Sequence, residues 1–144
     1  MLVSQILKSK ATQGIISVKP SDPVSTAVKL MSENRVGTMV VSADGESLDG
    51  IISERDVVRE MGKHGTGCID GPVSSMMTAK LVTIAPSETA DHAMQLMTDG
   101  RFRHLPVMEN GQMIGLISIG DVVKARLSEL AMEKDALQGM IMGH

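Results

Sequence analysis

The sequence predicts an α+β (α/β) fold assembled from two β-α-β-β-α units. Three observations predict it. The phrase "GIISERDVV" at Gly50–Val58 returns as "GLISIGDVV" at Gly115–Val123, 65 residues later in a chain of 144. Apolar residues upstream of each phrase recur at helical spacing. An Asp-Gly and an Asn-Gly pair, Asp44-Gly45 and Asn110-Gly111, each separate two short apolar runs, which is a hairpin signal because both residue types tolerate positive φ.

The repeat extends well beyond the phrase. "VSQIL" at Val3–Leu7 resembles "VSSMM" at Val73–Met77, and "ISVKPSDPVSTAVKLMSENR" at Ile16–Arg35 resembles "VTIAPSETADHAMQLMTDGR" at Val82–Arg101. Each copy opens with an apolar strand, Ile15–Val18 or Leu81–Ile84. A helix follows. In the first copy Asp22 can cap it and Pro23 can occupy its first turn. Its apolar face is Val24, Ala27, Val28 and Met31; the matching face in the second copy is Ala90, Ala93, Met94 and Met97. Two strands come next, "TMVV" with "LDGIIS", then "LPVM" with "MIGLIS", and a second helix leaves each repeated phrase. The expected organisation is a first repeat at 3–62, a Gly-rich linker at 63–71, a second repeat at 72–126 and a helical extension at 127–144. A unit of about 55 residues buries too little surface to stand comfortably alone. The two are therefore expected to pack through their sheets about a pseudo-twofold axis, with related clefts between them.

Composition narrows the function. The net charge is −3 with no long basic or acidic run, which argues against nucleic acid and membrane surfaces as partners. No apolar stretch approaches a membrane span, "MLVSQILKSK" lacks the pattern of a secretory signal, and Cys68 is the only cysteine. These favour a reducing cytoplasm. Thirteen Met residues against one aromatic, Phe102, imply an aliphatic core with Met as adaptable filler.

The repeated phrase places Ser and Asp three apart where a strand gives way to a helix: Ser53 with Asp56, and Ser118 with Asp121. One reading is structural. Ser at the N-cap with an acidic residue three positions on makes a capping box, worth about 1 kcal/mol per helix. The other is functional. A helix start offers free N–H groups to phosphate, and a neighbouring carboxylate accepts hydrogen bonds from the vicinal diol of a ribose. Both roles can coexist, since a carboxylate has several acceptor positions.

Paired "G-h-h-S-x-x-D" phrases, each closing a β-α-β-β-α unit with "P-x-x-x-x-x-x-A-x-x-x-M" upstream, resemble tandem CBS (cystathionine-β-synthase-type) domains, the pair called a Bateman module. The resemblance covers residues 3 to about 126. It implies a non-catalytic regulatory module, an energy sensor that binds an adenine nucleotide between its repeats: AMP foremost, with ATP, ADP or NAD(H) as alternatives, and no metal. It implies ribose contacts from Asp56 and Asp121, ribose or phosphate contacts from Ser53 and Ser118, and positions near the adenine for Ser17 and Thr83. Basic residues facing phosphates correspond to Arg101, Arg103 and His104 in "GRFRHLPV", whereas the first copy has Gly37 and Thr38 in place of Arg103 and His104. Arg55 in the first phrase is replaced by Gly120 in the second. The two sites should therefore be unequal. The competing reading of these basic residues is a solvated strand edge.

Other signals carry less. His64 and Cys68 have the spacing of a metal half-site without a second pair of ligands. No P-loop, nucleophile elbow or Gly-x-Gly-x-x-Gly phrase occurs. His92 reads as an exposed helix residue. Val123, Leu127, Leu130, Lys134, Leu137 and Ile141 alternate spacings of four and three, a heptad-like stripe that packs along its own domain or forms a homodimer seam. The alternatives to a nucleotide sensor are a ligand-free structural dimerisation module, an S-adenosylmethionine sensor, and a nucleotide hydrolase for which the residues supply no base or metal cluster. A partner protein is expected to read the shift that ligand binding produces.

Overall fold

The computed structural model describes residues 1–10 and 15–141. Its elements are α1 (Val3–Ser9), β1 (Ser17–Val18), α2 (Val24–Asn34), β2 (Thr38–Val41), β3 (Gly50–Ser53), α3 (Glu54–His64), α4 (Ala90–Gly100), β4 (His104–Glu109), β5 (Gln112–Ser118) and α5 (Ile119–Ile141). Short 3-10 turns occupy Thr66–Asp70 and Val73–Ser75. The chain divides into two compact units. One comprises Ile15–Leu81 with Gly111–Met113; the other comprises Met1–Gly14, Val82–Asn110 and Ile114–His144.

The first of these units holds a three-stranded sheet in the order β1-β2-β3. β1 runs parallel to β2, with Ser17 opposite Val40, and β2 runs antiparallel to β3, with Thr38 opposite Ser53. Val24, Ala27 and Met31 of α2 are buried against Met39, Val41 and Ile52 of the sheet, as their helical spacing requires; Val28, expected on the same face, is 39% exposed. The other unit repeats the plan with a reduced sheet. β4 and β5 form a hairpin, and the expected strand at Leu81–Ile84 contracts to one parallel bridge, Ile84 to Val107. Ala90, Ala93 and Met97 of α4 pack on Leu105, Val107 and Ile117; Met94 is only partly buried. Each fully buried aliphatic side chain contributes roughly 1.5–3 kcal/mol of transfer free energy, and these two aliphatic clusters are what the near-absence of aromatics predicts.

The opening segments of the copies are exchanged. Val3 and Ile6 of α1 are buried in the unit built from the second repeat, where Val3 N–H donates to the Glu88 carbonyl at 2.8 Å. Val73 and Met76 are buried in the unit built from the first, where Val73 N–H donates to the Asp22 carbonyl at 2.8 Å. Each segment lies close against the leading glycine of the repeated phrase. A Cβ on Gly50 would fall 2.8 Å from the Thr78 carbonyl oxygen, and one on Gly115 would fall 2.5 Å from Leu7 Cδ2. Glycine at these strand positions is a packing requirement.

Local expectations fail where tertiary contacts or side-chain hydrogen bonds compete. Asp22 does not cap α2: its carboxylate accepts from Lys19 N–H at 2.9 Å, closing a turn, and Pro23 stands at the N-cap. Asn110 and Gly111 adopt φ of 54° and 79° and make a tight two-residue turn. Asp44-Gly45 does not. Asp44 instead accepts from the N–H groups of Glu46 at 2.9 Å and Ser47 at 2.7 Å, organising a longer loop between β2 and β3. Those backbone bonds hold the exposed Asp44 carboxyl at about 2. The Gly-rich stretch after α3 is folded onto its unit: Val24 N–H donates to the Gly71 carbonyl at 2.9 Å, and Cys68 and Ile69 pack beside the core.

Candidate functional site

Both repeated phrases fold as capping boxes. Ser53 is the N-cap of α3; its hydroxyl accepts from Asp56 N–H at 3.2 Å, and the Asp56 carboxylate accepts from Ser53 N–H at 2.9 Å. In the second phrase Asp121 N–H donates to the Ser118 hydroxyl at 3.1 Å, and Ser118 N–H donates to the Asp121 carboxylate at 2.9 Å. A further backbone bond ties each helix start to the preceding strand edge: Glu54 N–H to the Gly37 carbonyl at 2.9 Å, and Ile119 N–H to the Arg103 carbonyl at 2.8 Å. The last of these brings Arg103 and His104 beside Ser118 and Asp121.

Beyond the boxes the two aspartates diverge. Asp56 is 7% exposed and fully engaged. Its Oδ2 also accepts from the Ser53 hydroxyl at 3.0 Å, and its Oδ1 accepts from Arg59 Nη2 at 2.8 Å. Asp121 keeps 24% of its side chain exposed and pairs with Lys10 at 2.9 Å. The Lys10 ammonium also donates to the Leu116 carbonyl at 2.7 Å. A cleft of about 460 Å³ opens at this pair, lined among others by Ser9, Lys10, Asp121, Lys124 and Ser128.

Electrostatics follow from this placement. Burial pushes the Asp121 carboxyl up, but the Ser118 N–H, the Lys10 hydrogen bond and charge, and the Ser118 hydroxyl together outweigh it and hold it below the ordinary carboxylate value. Burial lowers the His104 imidazole, the positive charges of Lys10 and Arg103 lower it further, and Asp121 pulls the other way. His104 is therefore a neutral imidazole at neutral pH, able to donate from one nitrogen and accept at the other.

The remaining expected residues lie as follows. Arg55 is exposed in the first turn of α3. Arg101 is exposed at the C-cap of α4, in the left-handed conformation with φ 57°, as is Arg35 at the end of α2 with φ 55°. Ser17 is half-buried in β1, and Thr83 is exposed beside the Ile84 bridge. Among the described residues no hydrogen bond or ion pair joins Arg55, Arg101, Ser17 or Thr83 to either aspartate. His92 pairs with Glu88 at 2.8 Å. No group of three or more His, Cys, Asp or Glu side chains among the described residues is placed to hold a metal ion, and no helix among them is long and apolar enough to cross a membrane. Lys10 is the functional candidate that the sequence did not flag. Its one signal is that "VSQILKSK" at Val3–Lys10 and "VSSMMTAK" at Val73–Lys80 both end in Lys.

A model of the CBS domain matches residues 3–63 and again 73–128, the two stretches that end in these capped helices. The chain belongs to the CBS domain family. It is 40% identical to the mitochondrial CBS domain-containing protein CBSX3 of Arabidopsis thaliana, across 98% of this chain and 72% of that protein. A solved CBS-domain protein of Burkholderia ambifaria is 42% identical with a TM-score of 0.81, covering 89% of this chain and 95% of that one. At the level of fold alone, the CBS domain pair of the protein MJ0100, solved with 5′-methylthioadenosine and S-adenosyl-L-methionine, aligns with a TM-score of 0.75 at 18% identity, covering 87% of this chain and 98% of that one. The protein is thus a CBS domain pair of α+β class, a regulatory module.

Proposed function

We propose that this CBS pair senses an adenine nucleotide, AMP foremost with ATP, ADP or NAD(H) as alternatives, at the Asp121 end of the second repeat, and performs no chemistry itself. The observation that carries the reading is the partly exposed Asp121 carboxylate, gathered with Ser118, Arg103, His104 and Lys10 at a helix start beside a 460 Å³ cleft. That volume lies in the range of small-molecule sites. A carboxylate held ionised suits ribose hydroxyls, and Arg103 with Lys10 suits phosphate. The adenosine ligands of MJ0100 support the ligand class. Asp56, with both oxygens occupied, fits a structural cap better than a second equal site. Bound ligand acts by differential affinity for two states of the module, read by a partner protein. The repeat limits at 3–62 and 72–126 and a cytoplasmic setting, suggested by the single Cys68, belong to the same proposal.

Calorimetry of the full chain with AMP, ATP, NADH and S-adenosyl-L-methionine tests it. Asp121→Asn is expected to weaken AMP binding at least about tenfold, the worth of one charge-assisted hydrogen bond, while Asp56→Asn changes affinity little. Unchanged affinity in Asp121→Asn refutes the ribose assignment.

A homodimer through α5 is the second part of the reading. Val122 and Ala125 are the last buried residues of that helix, yet Leu127, Leu130, Leu137 and Ile141 continue one stripe at 62%, 50%, 58% and 85% exposure. A regular three-four stripe is self-complementary, and a second copy of the chain covers it, with Lys134 inside the seam fixing the register at some cost in stability. Light scattering after gel filtration should give a dimer that Leu130→Glu converts to monomer; a wild-type monomer at high concentration defeats this part.

A further inference from the structure

The Lys10–Asp121 pair does more than neutralise a carboxylate. Lys10 comes from the segment after α1, while Asp121 belongs to the first turn of α5, so the contact joins chain ends far apart in sequence. It stands at the cleft wall with both partners about a quarter exposed, 28% and 24%. Asp56 has no such partner: its cation, Arg59, comes from its own helix one turn on, and Lys80, the counterpart of Lys10, is exposed. We propose that Lys10 is a displaceable counter-ion that makes this site select adenosine ligands carrying a 5′-phosphate over unphosphorylated ones. This rests on the nucleotide reading above and deepens it by naming the required group.

The argument is one of charge balance. Lys10 and the Ser118 N–H both sit on Asp121 Oδ2, so a ribose diol that bridges the two carboxylate oxygens competes with the Lys10 ammonium for Oδ2. A neutral nucleoside that wins leaves an ammonium without an anion in a partly desolvated cleft, which is costly. A nucleoside phosphate brings its own anion: the Lys10 stem swings from carboxylate to phosphate, and its bond to the Leu116 carbonyl provides a pivot that need not break. Lys124 and the hydroxyls of Ser9 and Ser128 line the same cleft and offer further donors to the phosphate. The empty site thus holds one of its two ribose acceptors, Asp121 Oδ2, closed, and the ligand's phosphate opens it.

Calorimetric titration of the full chain with AMP and with adenosine, on wild type and Lys10→Met, tests the inference. The expected result is a preference of wild type for AMP of about tenfold or more. In Lys10→Met, AMP should weaken by a similar factor while adenosine binds as well or better, since Asp121 is no longer occupied. Melting temperatures confirm that the variant is folded, and Lys10→Gln replaces it if it is not. Equal weakening of both ligands, an unchanged AMP-to-adenosine ratio, or a wild type that does not distinguish them overturns the role of Lys10 and leaves the nucleotide reading standing. Failure of wild type to bind either ligand defeats the nucleotide reading, and the inference with it.

Discussion

Asp56 and Asp121 occupy the same position of the same phrase, close the same capping box, and yet meet different surroundings. Around Asp56 everything is local: Ser53 three residues before and Arg59 three residues after take up its oxygens, and the carboxylate is sealed. Around Asp121 the decisive partner is distant, and the phrase itself contributes less. Where the first phrase continues Ser-Glu-Arg-Asp and the helix then supplies Arg59, the second reads Ser-Ile-Gly-Asp and has Lys124 at the position of Arg59. A duplicated motif therefore keeps its local structural duty in both copies, while its availability to a ligand is set by what the rest of the fold brings to it.

The largest expected effects concern the glycines that admit the exchanged segments. Gly50→Val should cost about 2–3 kcal/mol, because its Cβ meets the Thr78 backbone carbonyl, which cannot yield. Gly115→Val should cost roughly 1 kcal/mol less, since it meets the end of the Leu7 side chain, which can rotate. Urea unfolding of both variants checks the order, and equal losses would mean that the two approaches are alike after all.

Next come the aspartates as caps. Asp56→Ala removes the acceptor for the Ser53 N–H, the Ser53 hydroxyl and Arg59 from a buried position, and should cost about 1–2 kcal/mol. Asp121→Ala removes a partly exposed one and should cost about 1 kcal/mol or less. The reverse order, measured by the same unfolding curves, would break the division between a structural and an available carboxylate.

Acid should destabilise the protein in stages, two of which belong to the second repeat, while the lowered Asp44 carboxyl of the first repeat adds only at the acid extreme. His104 has a lowered folded value, so the unfolded chain takes up a proton first. Stability falls as pH drops below about 6.5, and this part levels off below the folded value. Asp121 has a lowered folded value too. Its contribution is complete above the unfolded value of about 3.9 and is lost as pH falls through the folded one. His104→Gln should flatten the first limb and Asp121→Asn the second in a pH series of unfolding midpoints. The smallest effect is expected at Arg59→Ala, below about 1 kcal/mol, since its side chain is 51% exposed; a larger loss would show that Arg59, and not Ser53, holds Asp56.

Much of this was legible beforehand because it is written in short-range pattern. The buried faces of α2 and α4 follow from residues three and four apart, and the Ser53–Asp56 and Ser118–Asp121 boxes follow from a spacing of three. The tight Asn110-Gly111 turn follows from backbone preference. Asp44-Gly45 carried the same preference, and Gly45 keeps a φ of 84°, but the two-residue turn is lost because the Asp44 carboxylate accepts from two N–H groups in a longer loop. The strand expected at Leu81–Ile84 shrank to one bridge, since an apolar run states a tendency to pair without stating how many partners lie within reach.

The sequence by itself determined the duplication, the helix faces, the capped helix starts and the unequal distribution of basic residues, all of which depend on neighbours within a turn or two. Only the tertiary structure decided that α1 packs with the second repeat and residues 73–78 with the first, that Gly50 and Gly115 must lack side chains, and that Lys10 is the cation of Asp121. A seven-residue helix with two buried apolar side chains fits either repeat equally well by pattern, so its choice rests on the summed fit of surfaces that meet only when the whole chain has folded.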